Sequence, residues 1–142
     1  MIENTAILNN LPALQVVVPL ILAPIAALIT IPFLSWLIAI SGSIFCLFSS
    51  IVLLLKVSSS GTINYYMGGW LPPYGIEYVI DDASSFMIVV ISFMGLIATI
   101  YAYTSLKYEI SKSNQSKVYG MWLLALGGLL GLVTTGDAFN LF

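Results

Sequence analysis

The chain reads as long apolar blocks divided by short polar stretches. Residues 4–55 carry no charged side chain. A bilayer-spanning helix takes about 20 apolar residues, so this block holds two. The break falls at Thr30-Ile31-Pro32, because a proline fits the first turn of a helix, where its missing N–H costs nothing. Spans are predicted at about 13–30 and 33–56. Pro19 and Pro24 lie inside the first and predict a kink. A membrane helix tolerates such prolines when neighbours satisfy the freed carbonyls.

Residues 57–80 change texture. SSSGT is a turn, INYYMGGW is rich in β-branched and aromatic residues, LPPYG is a second turn, and IEYVI is again β-prone. Two such runs around a Pro/Gly turn predict a β-hairpin over 62–80. Asp81-Asp82 then opens a third apolar block, with a span at about 83–106. KYEISKSNQSK, residues 107–117, reads as a polar loop. A fourth span follows at about 118–135, where LLALGGLLG places small residues that let helices approach closely. Gly136 is expected to end that helix with φ > 0. Asp137 is expected to cap a fifth helix, with Ala138 to Phe142 as its first turn.

Composition agrees with this pattern and sharpens it. Of 142 residues, 60% are hydrophobic and 7% charged, against roughly 25% charged in soluble domains. Ten charged side chains could not cover a water-facing surface. The expected fold is one all-α integral membrane domain over residues 1–142, with four transmembrane helices, the start of a fifth, and an extracytoplasmic hairpin between the second and third. The net charge of −2 implies no partner, and no basic patch suggests nucleic acid. There is no histidine, and Cys46 lies alone in an apolar run. That excludes a disulfide framework and a Cys/His metal site. No nucleophile–base pair, phosphate loop or cofactor motif is present, so no cofactor, catalytic residue or metal ligand is expected.

A few polar and aromatic residues carry the candidate chemistry. Asp81 and Asp82 fit the start of a helix, where a carboxylate accepts backbone N–H groups and complements the positive helix end. A paired-carboxylate cation site is the alternative. Tyr65, Tyr66, Trp70, Tyr74 and Tyr78 suit the membrane–water boundary, with rings half-buried and hydroxyls wet. They could instead form a substrate platform. Asp137 has two readings, an N-cap at a tight outer turn or an ionisable group tuning an ion path. Three lysines within residues 107–117 mark that stretch as cytoplasmic. The amino terminus, the hairpin and Gly136-Asp137 then lie outside, in a multi-pass protein of the cell membrane. Lys56 falls on the outer side and votes the other way.

Two stretches together carry a resemblance over the whole chain: YYMGGWLPPYGIEYVIDDASSFM, and VYGMWLLALGGLLGLVTTGDAFNLF. Their order resembles the amino-terminal part of the proton-conducting antiporter-like membrane subunits. These include the D-type subunits of Mrp-type sodium/proton antiporters, the large membrane-arm subunits of complex I, and related hydrogenase subunits. The hairpin and the TGD-x-FNL stretch look most like the Mrp D type. The resemblance implies inverted repeats with broken helices and protons moving along buried Lys and Glu residues of later spans. It implies partner subunits, with protons and sodium as the ions. Only Gly136, Asp137, Asn140 and the hairpin match the family's pattern here. The family's key Glu would fall beyond Phe142, so the chain is expected to be a fragment, inactive by itself. Where many relatives place basic residues at the first cytoplasmic turn, this chain has Thr30-Ile31-Pro32.

Three functions remain open at this point. The first is part of a cation/proton antiporter subunit. The second is the equivalent part of an NADH:quinone oxidoreductase or hydrogenase membrane arm, and the third a short membrane assembly protein. The first makes the chain a transporter component; the second would place it inside a translocating enzyme.

Overall fold

The computed structural model describes residues 10–66 and 77–136. The element order is α1 (Leu11–Leu28), α2 (Pro32–Ser60), β1 (Ile63–Tyr66), β2 (Glu77–Ile80), α3 (Asp82–Glu109) and α4 (Lys112–Thr134). All four helices are long and apolar enough to cross a membrane. Even the shortest, α1 with 18 residues, is about 27 Å long. Trp70, Tyr74, Asp137 and the expected start of a fifth helix lie outside the described residues.

The boundaries differ from the sequence expectation in instructive ways. Helix α1 starts at Leu11 with Pro12 in its first turn and runs on through Pro19 and Pro24. Helix α2 begins at Pro32, as the break at Thr30-Ile31-Pro32 requires. It continues a full turn past Lys56 to Ser60, because one lysine near a helix end can reach along the surface to water. The largest departure concerns residues 107–117, expected to be a loop. Only Ile110 and Ser111 break the helical path. The Gln115 amide makes so short a break possible. Its Nε2 donates to the Leu106 carbonyl at 3.1 Å and the Ile110 carbonyl at 2.8 Å, satisfying acceptors at the end of α3.

The hairpin forms. β1 and β2 pair antiparallel with Ile63 opposite Ile80 and Tyr65 opposite Tyr78. Its alternation sends Tyr78 and Ile80 into the end of the helix bundle, where they join Leu11, Leu53, Ile88 and Leu130. The chain leaving α4 returns to the same sheet. Thr135 bridges Tyr78, and the Gly136 N–H donates to the Glu77 carbonyl at 3.1 Å. Gly136 therefore does not end α4 with a positive φ. Thr135 ends it in extended conformation, and among the described glycines only Gly61 has positive φ. Gly136 has a different reason to be glycine. A Cβ there would sit 2.3 Å from Val79 Cγ2, so only the bare backbone can lie against β2.

Packing is inverted relative to a water-soluble bundle. The interior is rich in small side chains, including Ala23, Ala26, Ala39, Ser43 and Ser49. Large apolar residues point outward: Leu28 is 83% exposed and Phe48 66%. Lipid offers no hydrophobic drive between helices, so association depends on close backbone approach and buried hydrogen bonds. The α1–α4 contact shows the first. A Cβ on Gly120 would lie 2.8 Å from the Ala23 carbonyl oxygen and 2.7 Å from Ala27 Cβ. We expect Gly120→Ala to destabilise the bundle by about 1–3 kcal/mol. Gly128→Ala, with no atom within 4 Å of its added Cβ, should not destabilise and should gain up to about 1 kcal/mol from helix propensity. Thermal unfolding of both variants in one detergent tests this.

Candidate functional site

The polar groups inside the bundle form a seam that joins all four helices. Its first cluster lies toward the hairpin end. Pro19 has no N–H, so the Gln15 carbonyl loses its intrahelical partner. The Cys46 thiol of α2 points at that carbonyl from 3.9 Å. The Gln15 side chain answers in the opposite direction. Its Nε2 donates to the Cys46 carbonyl at 3.1 Å and to Ser92 Oγ of α3 at 3.4 Å. Its Oε1 accepts from Ser49 Oγ. Gln15, Cys46, Ser49 and Ser92 are all fully buried.

The second cluster lies deeper and centres on Thr99. Trp122 Nε1 of α4 donates to Thr99 Oγ1 at 2.9 Å, and Trp36 Nε1 of α2 donates to the Thr99 carbonyl at 3.0 Å. Ser43 Oγ lies 3.0 Å from Thr99 Oγ1. Each hydroxyl has one proton. Thr99 can give its own to the Gly95 carbonyl at 2.8 Å while accepting from Ser43. Alternatively Ser43 gives its proton to the Ala39 carbonyl at 2.9 Å and accepts from Thr99. Either arrangement leaves Trp122 a lone pair.

The third cluster closes the opposite end. Ser35 Oγ donates to the Ala26 carbonyl at 2.7 Å and reaches the Ser116 carbonyl at 3.4 Å. Ser116 Oγ is buried without a hydrogen-bond partner among the described residues.

The residues singled out from sequence fall elsewhere. Asp81 caps α3: its Oδ1 accepts from the Ser84 N–H at 2.7 Å, and Ser84 Oγ accepts from the Asp81 N–H at 2.8 Å. That capping box holds the Asp81 carboxyl below the usual carboxylate range, chiefly through the Ser84 backbone bond. Asp82 sits in the first turn of α3 and is exposed. Among the described residues the two acids gather no third metal-ligating group. Tyr65 and Tyr66 are half-buried, and the Tyr65 hydroxyl donates to Asn10 Oδ1 at 2.9 Å. Tyr78 is placed differently from a half-wet boundary ring, being 9% exposed against the bundle. Burial first, and the neighbouring Tyr65 second, push its hydroxyl above the usual phenol value. Sequence reasoning missed the seam because it counted charges, and the seam has none. One signal was available: Gln15 is the only amide in Leu11–Leu28.

No protein-family model matches the chain. It is 38% identical over 137 residues to the N subunit of the NADH-quinone oxidoreductase of Desulforudis audaxviator, covering 94% of this chain and 27% of that protein. It is 27% identical over 136 residues to the D subunit of the Na(+)/H(+) antiporter of Bacillus subtilis, covering 95% of this chain and 27% of that protein. The chain is homologous to these antiporter-like membrane subunits. A solved structure agrees: a chain of an archaeal membrane-bound sulfane sulfur reductase, a respiratory membrane complex, superposes with a TM-score of 0.81 at 26% identity. That match takes in 92% of this chain and 26% of the other. The chain spans about a quarter of the length of the relatives it matches. With four membrane-length helices, this homologue is a multi-pass membrane protein.

Two expectations test the geometry. Thr99→Val keeps shape but removes the oxygen that serves Trp122 and Ser43, and should cost about 1 kcal/mol. It should also shift Trp122 fluorescence, while Ser116→Ala, whose hydroxyl has no partner among the described residues, should change neither stability nor emission. For Asp81, the lowered folded value means the cap contributes stability above the unfolded value of about 3.9. That contribution is lost only as pH falls through the lower folded value. The Ser84 amide should therefore stay protected from hydrogen exchange at pH values where an ordinary aspartate is already protonated, and lose protection on further acidification. In Asp81→Asn that acid-dependent loss should vanish.

Proposed function

We propose that the chain forms part of the proton-conducting membrane subunit of a multisubunit cation/proton antiporter, with other membrane subunits as partners and protons and sodium as the ions. The observation that carries this reading is homology over nearly the whole chain to the D subunit of an Na(+)/H(+) antiporter. Within such a subunit the described helices act as scaffold rather than as ion path. Ion paths need ionisable groups at depth. The charged residues of these helices, Lys56, Asp82, Lys107, Glu109, Lys112 and Lys117, all lie within two turns of a helix end. The seam supplies what the scaffold needs instead, uncharged hydrogen bonds that fix four helices against one another. Asp137 remains the ion-path candidate, as the acid that follows Gly136.

A second reading rests on a specific observation. The identity to the quinone oxidoreductase relative is 38%, against 27% to the antiporter relative. Under it the same scaffold serves a quinone oxidoreductase, and proton movement is driven by electron transfer. Membrane vesicles separate the two. Proton movement evoked by a sodium pulse without electron donor supports antiport. Movement that appears only with donor and quinone supports the respiratory reading and overturns the first.

The orientation we infer is with the Lys107–Lys117 end in the cytoplasm and the hairpin outside, at the cell membrane. The lysine excess at that end supports it. In intact cells, Ser113→Cys should be shielded from an impermeant thiol reagent and Thr62→Cys labelled; the reverse pattern would overturn the orientation. For Asp137, Asn in its place should leave antiport intact if the residue only caps a helix. If it lies on the ion path, Asp137→Asn should abolish antiport with the protein level unchanged.

A further inference from the structure

We infer that the end of the bundle opposite the hairpin holds an anionic phospholipid headgroup, bound between α2 and the α3–α4 break by Lys107 and Lys112. Two adjoining cavities open there. One, of about 250 Å³, is lined by Pro32, Phe33, Tyr103, Lys107, Gln115 and Tyr119. The other, of about 460 Å³, shares Pro32, Phe33, Lys107 and Gln115 and adds Ile31 and Lys112. The lysines thus face a common hollow from both sides of the break.

Their charge is not spent elsewhere. Lys107 Nζ lies 3.7 Å from the centroid of the Tyr103 ring, which steadies the ammonium without neutralising it. Neither lysine has a carboxylate partner among the described residues. Glu109, the acid between them in sequence, accepts from Ser105 Oγ at 2.9 Å and lines neither cavity. The third lysine, Lys117, donates to Asn114 Oδ1 at 3.2 Å and also stands apart.

The apolar wall decides in favour of a lipid over a free phosphate. Phe33 is 52% exposed at the cavity, and Leu34 and Leu37 continue that exposed face along α2. A phosphate with acyl chains satisfies the cations and covers this face together. A bare anion leaves the face uncovered. Basic pockets between transmembrane helices are suited to anionic headgroups, at about fivefold in affinity for each lysine near the surface.

The test uses the purified protein in nanodiscs of phosphatidylcholine, with or without phosphatidylglycerol. Amine acylation at each lysine is followed by mass spectrometry. Phosphatidylglycerol should slow labelling of Lys107 and Lys112 about fivefold and leave Lys117 unchanged. Equal labelling in both lipids would overturn the site, as would equal protection of Lys117, which would mean diffuse surface screening. The same protection by inorganic phosphate in phosphatidylcholine discs would overturn the lipid assignment. In native mass spectrometry, Lys107→Gln with Lys112→Gln should lower retained phosphatidylglycerol about 25-fold, and Lys117→Gln should not. Undiminished retention by the double variant would also overturn the proposal.

Discussion

A carbonyl in hydrocarbon must find a donor, and the bundle is arranged around one that its own helix cannot serve. Pro19 denies the Gln15 carbonyl an intrahelical N–H. Cys46 approaches it from α2, and the Gln15 amide returns a hydrogen bond to the Cys46 carbonyl. The pair is reciprocal, so it sets both the rotation and the height of α1 against α2. Ser49 and Ser92 then bring α2 and α3 onto the same amide. Without that clamp, a proline inside an apolar helix would leave polar backbone facing lipid or a void.

The remaining contacts follow from where the clamp puts the helices. With α1 and α2 fixed, α4 can approach α1 closely because Gly120 leaves the Ala23 carbonyl unobstructed. That approach carries Trp122 to Thr99, and Thr99 ties α3 back to α2 through Ser43 and Trp36. Hydrogen bonds of this kind contribute modestly one by one in a membrane. Their number and direction give the bundle one register, a job that interchangeable apolar contacts do poorly. The hairpin seals one end by inserting Tyr78 and Ile80, and Gly136 fastens the exit of α4 to its edge.

Apolar runs separated by charge gave away the existence of each helix, because hydropathy over a membrane length is a strong signal. Pro32 marked the start of α2 for a local reason that the structure shares. The hairpin was equally legible, since its β-prone runs flank a Pro/Gly turn. The start of α4 was not. KSNQSK looks like loop by polarity, yet it is helical because Gln115 reaches across the break to the carbonyls of Leu106 and Ile110. Gly136 was misread for a related reason: a glycine after a helix suggests a positive φ, whereas here it answers a strand that packs over it. The seam was hidden because serine and threonine disappear into hydropathy averages. Their value depends on which helix they face, and that is tertiary information.

The seam also bears on how the bundle responds to protonation. Lone carboxylates or lysines at depth would tie the fold to protonation state, since a buried charge shifts its pKa or neutralises when its partner is lost. Hydroxyls, indoles and an amide do not titrate in the physiological range. A bundle joined by Gln15, Ser43, Thr99 and Trp122 keeps the same hydrogen bonds whatever the local proton concentration. Whichever of Ser43 and Thr99 donates to the other, the pair carries no net charge. Among the described residues its charged groups stand toward the two ends, Asp81 at the hairpin and Lys107 and Lys112 at the opposite face. The separation leaves the hydrogen bonds that hold the helices in register independent of the charge state at the two ends.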